Sequence, residues 1–138
     1  MAELKDKIVL ITGAAGAIGG AICAAIERAG GVAIATDLTA GSGVAHALNV
    51  TTEDGWRRVM GEIEKTHGRL DGLVNAAGIV ALGTVEELDF ATWRRVLSVN
   101  LDGTFLGCKY AMPLLRKKGG AIVNLSSMAA LLGAAGQY

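Results

Sequence analysis

The sequence predicts an α/β fold in which a doubly wound parallel sheet of five strands, in the order 3-2-1-4-5, carries helices on both faces. Three observations predict this fold. Short apolar runs alternate with helical patterns along the chain. The first run, "KIVLIT", is apolar on both faces, as a strand between two helical layers should be. A glycine-rich turn leads from that run into the first helix, so we expect right-handed parallel connections.

Length and composition predict one domain over residues 1–138. A chain of 138 residues with 51% hydrophobic content can bury one core of ordinary size. Thirteen basic and thirteen acidic residues cancel, which argues against nucleic-acid partners. No run reaches the roughly 20 apolar residues of a membrane helix, and the start does not resemble a secretory signal. Cys23 and Cys108 are far apart and predict buried thiols, so we expect a cytoplasmic protein without a membrane partner.

The first half of the chain predicts three strands and one helix. Strand 1 covers Lys7 to Thr12, and the segment "AIGGAICAAIERAG" has apolar residues at helical spacing before it stops at Gly30. Strand 2 covers Val32 to Asp37, and a weaker strand 3 covers Val44 to Val50. Only "LTAGSG" separates strands 2 and 3, fewer residues than a parallel crossover usually needs. A helix is therefore expected to be lost or shortened between them.

The second half predicts two helices and two strands. A helix should follow Thr52, a candidate N-cap, and stop at Gly68. The segment "LDGLVNAAG" contains strand 4 and its exit turn, and "AIVNLSS" is strand 5. Between them, a long helix should run from about Asp89 to Lys117. Its large apolar side chains share one face: Trp93, Leu97, Leu101, Phe105, Cys108 and Met112.

The turn after strand 1 is a candidate phosphate site. Sheets of this class bind ligands at the carboxyl ends of their strands, beside the reversal between strands 1 and 4. Gly13, Gly16 and Gly19, with Ala17 and Ile18 between them, allow a tight turn and expose a helix N-terminus that attracts a pyrophosphate. A small-residue turn that packs helix against strand is the alternative. No Lys-Ser/Thr pair follows the glycines, which excludes a Walker-type loop.

Asp37 ends strand 2, where a dinucleotide fold places an acid near the adenosine ribose. A carboxylate there accepts hydrogen bonds from the ribose hydroxyls and repels a 2'-phosphate. The next residue is Leu38 rather than an arginine, and the glycine turn has no basic residue. These features favour NAD over NADP. A solvated or turn-initiating Asp is the alternative.

The exit turn of strand 4 is a second candidate contact with the ligand. The side chain of Asn75 can tie neighbouring strands together, while Ala76, Ala77 and Gly78 let a ligand approach the backbone. A local Asx turn is the alternative interpretation of Asn75.

Asn100 lies inside the long predicted helix, on or beside its apolar face. An asparagine has little intrinsic preference for a helix interior, and a buried polar group needs partners. The position therefore predicts either a satisfied core asparagine or a site residue that holds water.

Ser126 and Ser127 end strand 5 at the same edge of the sheet. Adjacent serines at a strand end are most often turn or cap residues. No G-x-S-x-G surrounds them, which argues against an esterase nucleophile. His46 and His67 are expected at the surface or in packing, and no cluster of Cys, His and Asp has the spacing of metal ligands.

Taken in order, "TGAAGAIG", Asp37, "NAAG", "SVN" and "IVNLSS" closely resemble the short-chain dehydrogenase/reductase family. The resemblance implies a Rossmann-type fold in which Gly13 to Gly19, Asp37 and Asn75 to Gly78 bind NAD. It also implies that Ser127 orients the substrate carbonyl or alcohol, and that Asn100 supports a water in a proton relay.

The chain departs from the family pattern at two positions of the cofactor site. Ala17 replaces the second glycine of the family loop, with Gly16 next to it. Asn49 stands where the family often has an Asp that contacts the adenine, and we expect Asn49 and Val50 to line the adenine site. The short link before strand 3 should leave that side of the site open.

The family's catalytic Tyr-x-x-x-Lys segment does not occur in the sequence. It usually begins about thirteen residues after the serine, whereas Tyr138 comes eleven residues after Ser127, and Tyr110 has Leu114 four positions on. We expect the catalytic tyrosine two residues beyond Tyr138, so that the domain is incomplete at its C-terminal end.

These features predict an NAD-dependent oxidoreductase that transfers a hydride between nicotinamide and a small alcohol or ketone substrate. We expect the enzyme to be a homo-oligomer. The alternative is a non-catalytic dinucleotide-binding module that ends at Tyr138 and is inactive.

Overall fold

The computed structural model describes residues 3–132 and contains one five-stranded parallel sheet. The strands run in the order β3-β2-β1-β4-β5, which confirms the predicted fold class and strand order. Their bounds are β1 (Ile8–Thr12), β2 (Val32–Asp37), β3 (His46–Ala47), β4 (Gly72–Asn75) and β5 (Ala121–Asn124).

Helices lie on both faces of this sheet. They are α1 (Ala17–Arg28), α2 (Glu53–His67), α3 (Phe90–Leu97) and α4 (Gly103–Leu115), with a π-helical segment (Ser98–Asp102) between α3 and α4 and a 3-10 helix at Met128–Ala130. On one face, Val9, Ile11 and Val74 pack against Ile26 of α1. On the other face, a larger cluster joins the sheet to α2 and α4 through Leu10, Ile34, Leu73, Trp56, Ile63, Leu106 and Leu114.

Local signals set the ends of the helices. Asp89 caps α3, since its carboxylate accepts a hydrogen bond from the Thr92 N–H at 2.8 Å. Gly68 ends α2 in a left-handed conformation with φ 70°, which glycine adopts without strain. Thr52 is at the N-cap position of α2, as predicted, but its hydroxyl donates to the Asn49 carbonyl and does not cap the helix.

Strand 3 is shorter than the sequence predicts. The predicted range was Val44 to Val50, whereas β3 contains His46 and Ala47 alone. The expected loss of a helix before this strand is confirmed. Residues 38–45 form turns with one antiparallel bridge between Gly41 and Val44.

The predicted long helix differs from the structure in two ways. A π-helical segment interrupts it, and its large apolar side chains face solvent: Trp93 is 42% exposed, Leu101 62% and Phe105 63%. The buried face contains glycines and aliphatic residues and no aromatic residue: Val96, Gly103, Leu106, Gly107, Ala111, Leu114 and Leu115.

Two glycines explain why this face packs inward. A Cβ at Gly103 would lie 2.8 Å from Cγ2 of Val50, and a Cβ at Gly107 would lie 2.4 Å from Oδ1 of Asn75. Only glycine permits so close an approach. The face of α4 that contains Gly103 and Gly107 therefore packs inward, and the face that contains Phe105 points to solvent.

Both cysteines are half-buried free thiols, so the prediction that they are buried is only partly correct. Burial, together with the charge of Glu27, raises the pKa of Cys23. Within residues 3–132, no helix has the length and apolar character needed to cross a membrane.

Candidate functional site

A cavity of about 630 Å³ opens at the carboxyl edge of the sheet, beside the reversal between β1 and β4. Its volume is typical of a small-molecule site. Most of the predicted cofactor-binding residues line it: Gly13, Gly16, Ala17, Ile18, Gly19, Asp37, Leu38, Asn49, Val50, Ala76, Ala77 and Gly78. The topology thus brings the first, second and fourth strand ends to one place.

The glycine turn packs too closely for side chains at two of its glycines. Gly13 has φ 68°, and a Cβ there would lie 2.8 Å from Cα of Ala77 in the exit turn of β4. A Cβ at Gly19 would lie 2.2 Å from the Gly13 carbonyl oxygen. The absence of both side chains lets the backbone line the cavity.

Helix α1 points its N-terminus into this cavity. Gly16 occupies the N-cap position, where no side chain of the described region caps the helix. The first-turn N–H groups therefore remain available for an anion, which the positive end of the helix dipole favours. Ala17, which replaces the family glycine, begins α1 in an exposed position that leaves room for its methyl group.

The Asp37 carboxylate is held by backbone groups at the mouth of the cavity. Oδ2 accepts a hydrogen bond from the Ala15 N–H at 2.9 Å, and Oδ1 accepts one from the Leu38 N–H at 2.8 Å. None of the ion pairs formed within residues 3–132 includes Asp37. Each oxygen keeps further acceptor capacity toward a ligand.

Thr12 supports the exit turn of β4, a contact that the sequence analysis missed. Its buried hydroxyl accepts hydrogen bonds from the N–H groups of Ala76 and Ala77, at 3.1 and 3.0 Å. A threonine at the last position of a buried strand, next to a glycine turn, was the available signal.

Asn75 lies behind the cavity rather than in its wall. Its side chain is buried, and Nδ2 donates to Oδ1 of Asn124 at 2.8 Å. This hydrogen bond joins β4 to β5, as the first interpretation of Asn75 predicts, and no local Asx turn is needed to explain the residue. Cys108 on α4 lies 3.8 Å from the same Nδ2.

Asn100 is exposed, so the interpretation as a core asparagine is wrong, whereas the interpretation as a site residue that holds water stays a prediction. The helix presents a different face to the core, which turns this position outward. Both ends of the amide bind the backbone of Ile79: Oδ1 accepts from its N–H and Nδ2 donates to its carbonyl, each at 2.9 Å. Asn100 therefore fastens the segment after Gly78 to the π-helical segment.

Ser126 and Ser127 are exposed and do not line the cavity. Ser127 caps the 3-10 helix, since its Oγ accepts a hydrogen bond from the Ala129 N–H at 3.2 Å. The hydroxyl proton stays available for donation. Tyr138 lies outside the described residues. Among the described residues, no three His, Cys, Asp or Glu side chains form a group that could hold a metal ion.

Six residues that the sequence analysis did not select also line the cavity. Leu48 and Thr51 flank the predicted Asn49 and Val50, and Ile79 follows Gly78. Arg95, Ser98 and Val99 come from α3 and the π-helical segment. The first three could have been found by extending the motifs, whereas the helical residues reach the site only through tertiary packing.

Known proteins resemble the chain in sequence and in fold. The sequence model of the family described as short chain dehydrogenase matches residues 7–138. Over 95% of its own length, the chain is 34% identical to trans-4-hydroxycyclohexanecarboxylate dehydrogenase of Sinomonas cyclohexanicum. Over 93% of its own length, the chain is 37% identical to D-threitol dehydrogenase of Mycolicibacterium smegmatis.

A solved structure shares the fold. The ligand-free aldohexose dehydrogenase of Thermoplasma acidophilum superposes with a TM-score of 0.86 at 33% sequence identity, over 94% of this chain and 52% of that one. The chain also spans only 58% and 55% of the two curated relatives. It therefore corresponds to little more than half the length of these proteins.

Proposed function

Because the chain belongs to the short-chain dehydrogenase family, we propose that the full-length protein is an oxidoreductase that interconverts a small alcohol and a ketone with NAD. The observation that carries the proposal is the convergence of the glycine turn, Asp37 and Ala76–Gly78 on one cavity at the carboxyl edge. Such an edge is where sheets of this class hold dinucleotides.

The residues present fit a nicotinamide dinucleotide. The turn from Gly13 to Gly19 would hold the pyrophosphate with backbone N–H groups, and Asp37 would accept hydrogen bonds from the adenosine ribose. Asn49 and Val50 would lie against the adenine, and Ala76–Gly78 would lie beside the rest of the cofactor. The bound dinucleotide supplies or accepts the hydride.

Ser127 and Asn100 would act on the substrate side. We assign Ser127 the donation of a hydrogen bond to the substrate oxygen as negative charge develops there. In its hydrogen bond with the Ala129 N–H, the Ser127 hydroxyl acts as the acceptor. Its proton therefore stays available for donation to the substrate. Asn100 would support a water in the proton path and, through Ile79, hold one wall of the cavity.

The proposal extends to substrates, assembly and location. The names of the relatives indicate alcohol oxidation in those proteins, which supports a small alcohol or ketone substrate here. The exposed apolar side chains of α3 and α4 support a homo-oligomer, and a monomeric molar mass by light scattering would contradict it. The balanced charge supports an enzyme without nucleic-acid partners. The two free thiols support a cytoplasmic location, and we propose no membrane partner.

The test is cofactor preference, measured by isothermal titration of the full-length protein with NADH and NADPH. We expect tighter binding of NADH, because the Asp37 carboxylate would repel a 2'-phosphate. The double substitution Asp37→Ala, Leu38→Arg should reverse the order.

Asp37→Asn is the matched control for this titration. It removes the charge but keeps an oxygen that can accept from the Ala15 N–H. It should relax the preference without disturbing the glycine turn. Equal or tighter NADPH binding by the unmodified protein would contradict the choice of NAD, and failure to bind either dinucleotide would contradict the proposed function itself.

A further inference from the structure

Arg95 is the cationic side chain of the cavity wall. Among the described residues that line the cavity, only Asp37 and Arg95 are charged. Arg95 is exposed on α3, and no ion pair formed within residues 3–132 includes it. Its guanidinium is therefore free to meet a ligand.

Helix geometry places Arg95 beside the wall formed by Asn49 and Val50. Arg95 precedes Val99 by four residues, and both line the cavity together with Asn49 and Val50. Val99 packs against the core cluster that contains Val50. Gly103, after the π-helical segment, also abuts Val50, where a Cβ would lie 2.8 Å from Cγ2.

Among the described residues of the cavity wall, Arg95 is the side chain whose charge can attract an anionic ligand. The glycine turn, "GAAGAIG", contains no Lys or Arg. Asp37 adds a negative charge to a site that would hold a pyrophosphate, itself anionic. The dipole of α1 contributes only about half a positive charge. Without Arg95, Asp37 would be the one charged side chain among the described residues of the wall.

We infer that Arg95 binds the adenosine diphosphate half of the dinucleotide and raises the affinity of the site for it. This inference rests on the proposed function, because it requires a dinucleotide in the cavity. A guanidinium suits the position, since it attracts phosphate oxygens through its charge and stacks on flat π systems such as adenine.

The experiment measures binding of NADH, ADP and nicotinamide mononucleotide to the full-length protein by isothermal titration, at low and high ionic strength. Arg95→Gln should weaken NADH and ADP binding by about fivefold at low ionic strength, the upper size expected for one solvent-exposed ion pair. The difference should shrink at high ionic strength. Binding of nicotinamide mononucleotide should change less than twofold.

Two variants serve as controls. Arg94→Gln removes the neighbouring charge from the same helix at a position outside the cavity wall, and should leave every affinity within about twofold. Arg95→Lys keeps the charge and should recover part of the lost affinity. Equal effects of Arg95→Gln and Arg94→Gln would overturn the inference.

Other outcomes separate this inference from the proposed function. Equal losses for ADP and nicotinamide mononucleotide would overturn the assignment to the adenosine half. If the unmodified protein and the Arg95→Gln variant bind NADH with equal affinity, the inference alone is overturned. Unmodified protein that binds neither ADP nor NADH would overturn the proposed function, and the inference with it.

Discussion

The two edges of the sheet each carry an aspartate, and the surroundings of the two carboxylates differ. At the amino edge, the Asp71 side chain is only 6% exposed and accepts hydrogen bonds from the Ile8 N–H at 2.9 Å and Arg69 Nε at 3.0 Å, with Lys7 Nζ 3.5 Å away. At the carboxyl edge, Asp37 contacts backbone N–H groups without a described cation. The fold therefore neutralises the acid at the amino edge, whereas we propose that Asp37 at the carboxyl edge serves a ligand.

The pKa of Asp71 reflects this internal pairing. Burial is the largest single influence and opposes ionisation, but the Ile8 hydrogen bond and the charges of Arg69 and Lys7 together outweigh it and lower the pKa. Because the fold already supplies its counter-charges, Asp71 has a structural role. Both residues are aspartates, so the presence or absence of neighbouring cations, and not the residue type, distinguishes Asp71 from Asp37.

The largest effect should follow from Ser127→Ala, which tests whether the carboxyl edge carries the chemistry. We expect turnover of the full-length enzyme to fall by about a hundredfold or more, because one donor to a developing oxyanion contributes on the order of 3 kcal/mol. NADH affinity should stay nearly constant. Ser126→Ala is the matched control and should lower turnover far less. Equal losses of turnover for the two variants would contradict the assignment of Ser127.

Gly19→Ala should cost about 2 kcal/mol of unfolding free energy, because its Cβ would meet the Gly13 carbonyl oxygen at 2.2 Å and the cavity wall would have to shift. Gly61→Ala is the control in the interior of α2, where nothing lies within 4 Å, and it should stabilise the protein by up to about 1 kcal/mol. Urea unfolding measures both. Stabilisation by Gly19→Ala would show that the turn is less tightly packed than the structure indicates.

Asp71→Asn should lower the free energy of unfolding by about 1.5 kcal/mol at neutral pH, since it leaves Arg69 and Lys7 without their counter-charge. The pKa of Asp71 is lower in the folded protein than its ordinary value of 3.8. Its stabilisation is therefore complete above that value and is lost as the pH falls through the folded pKa.

Urea unfolding at pH 7 and at acidic pH checks this expectation. The gap between the unmodified protein and Asp71→Asn should close in acid. Asp37→Asn, the matched change at the other edge, should alter stability by less than about 0.5 kcal/mol. A gap that persists in acid, or an equal loss from both substitutions, would remove the distinction between the edges.

Much of the candidate site could be predicted from the sequence because its parts follow strand ends. A parallel sheet brings the carboxyl ends of its strands to one edge, so Gly13, Asp37 and Ala77 had to meet once the strands were identified. The roles of Asn100 and Ser127 remain predictions, since both lie outside the cavity wall.

The alternation of strands and helices and the glycine turn after β1 were determined by the sequence itself, because they depend on local periodicity and on residues adjacent in the chain. The strand order could be predicted from that alternation, because parallel connections are right-handed. The orientation of α3 and α4 was decided only in the tertiary structure. Apolar content predicted that Trp93 and Phe105 would share one face, yet Gly103 and Gly107 let the opposite face approach the sheet more closely. Close packing depends on how well surfaces fit together and not on side-chain size alone. The orientation of the helical segment that results also places Arg95 in the cavity wall and Asn100 against the backbone of Ile79.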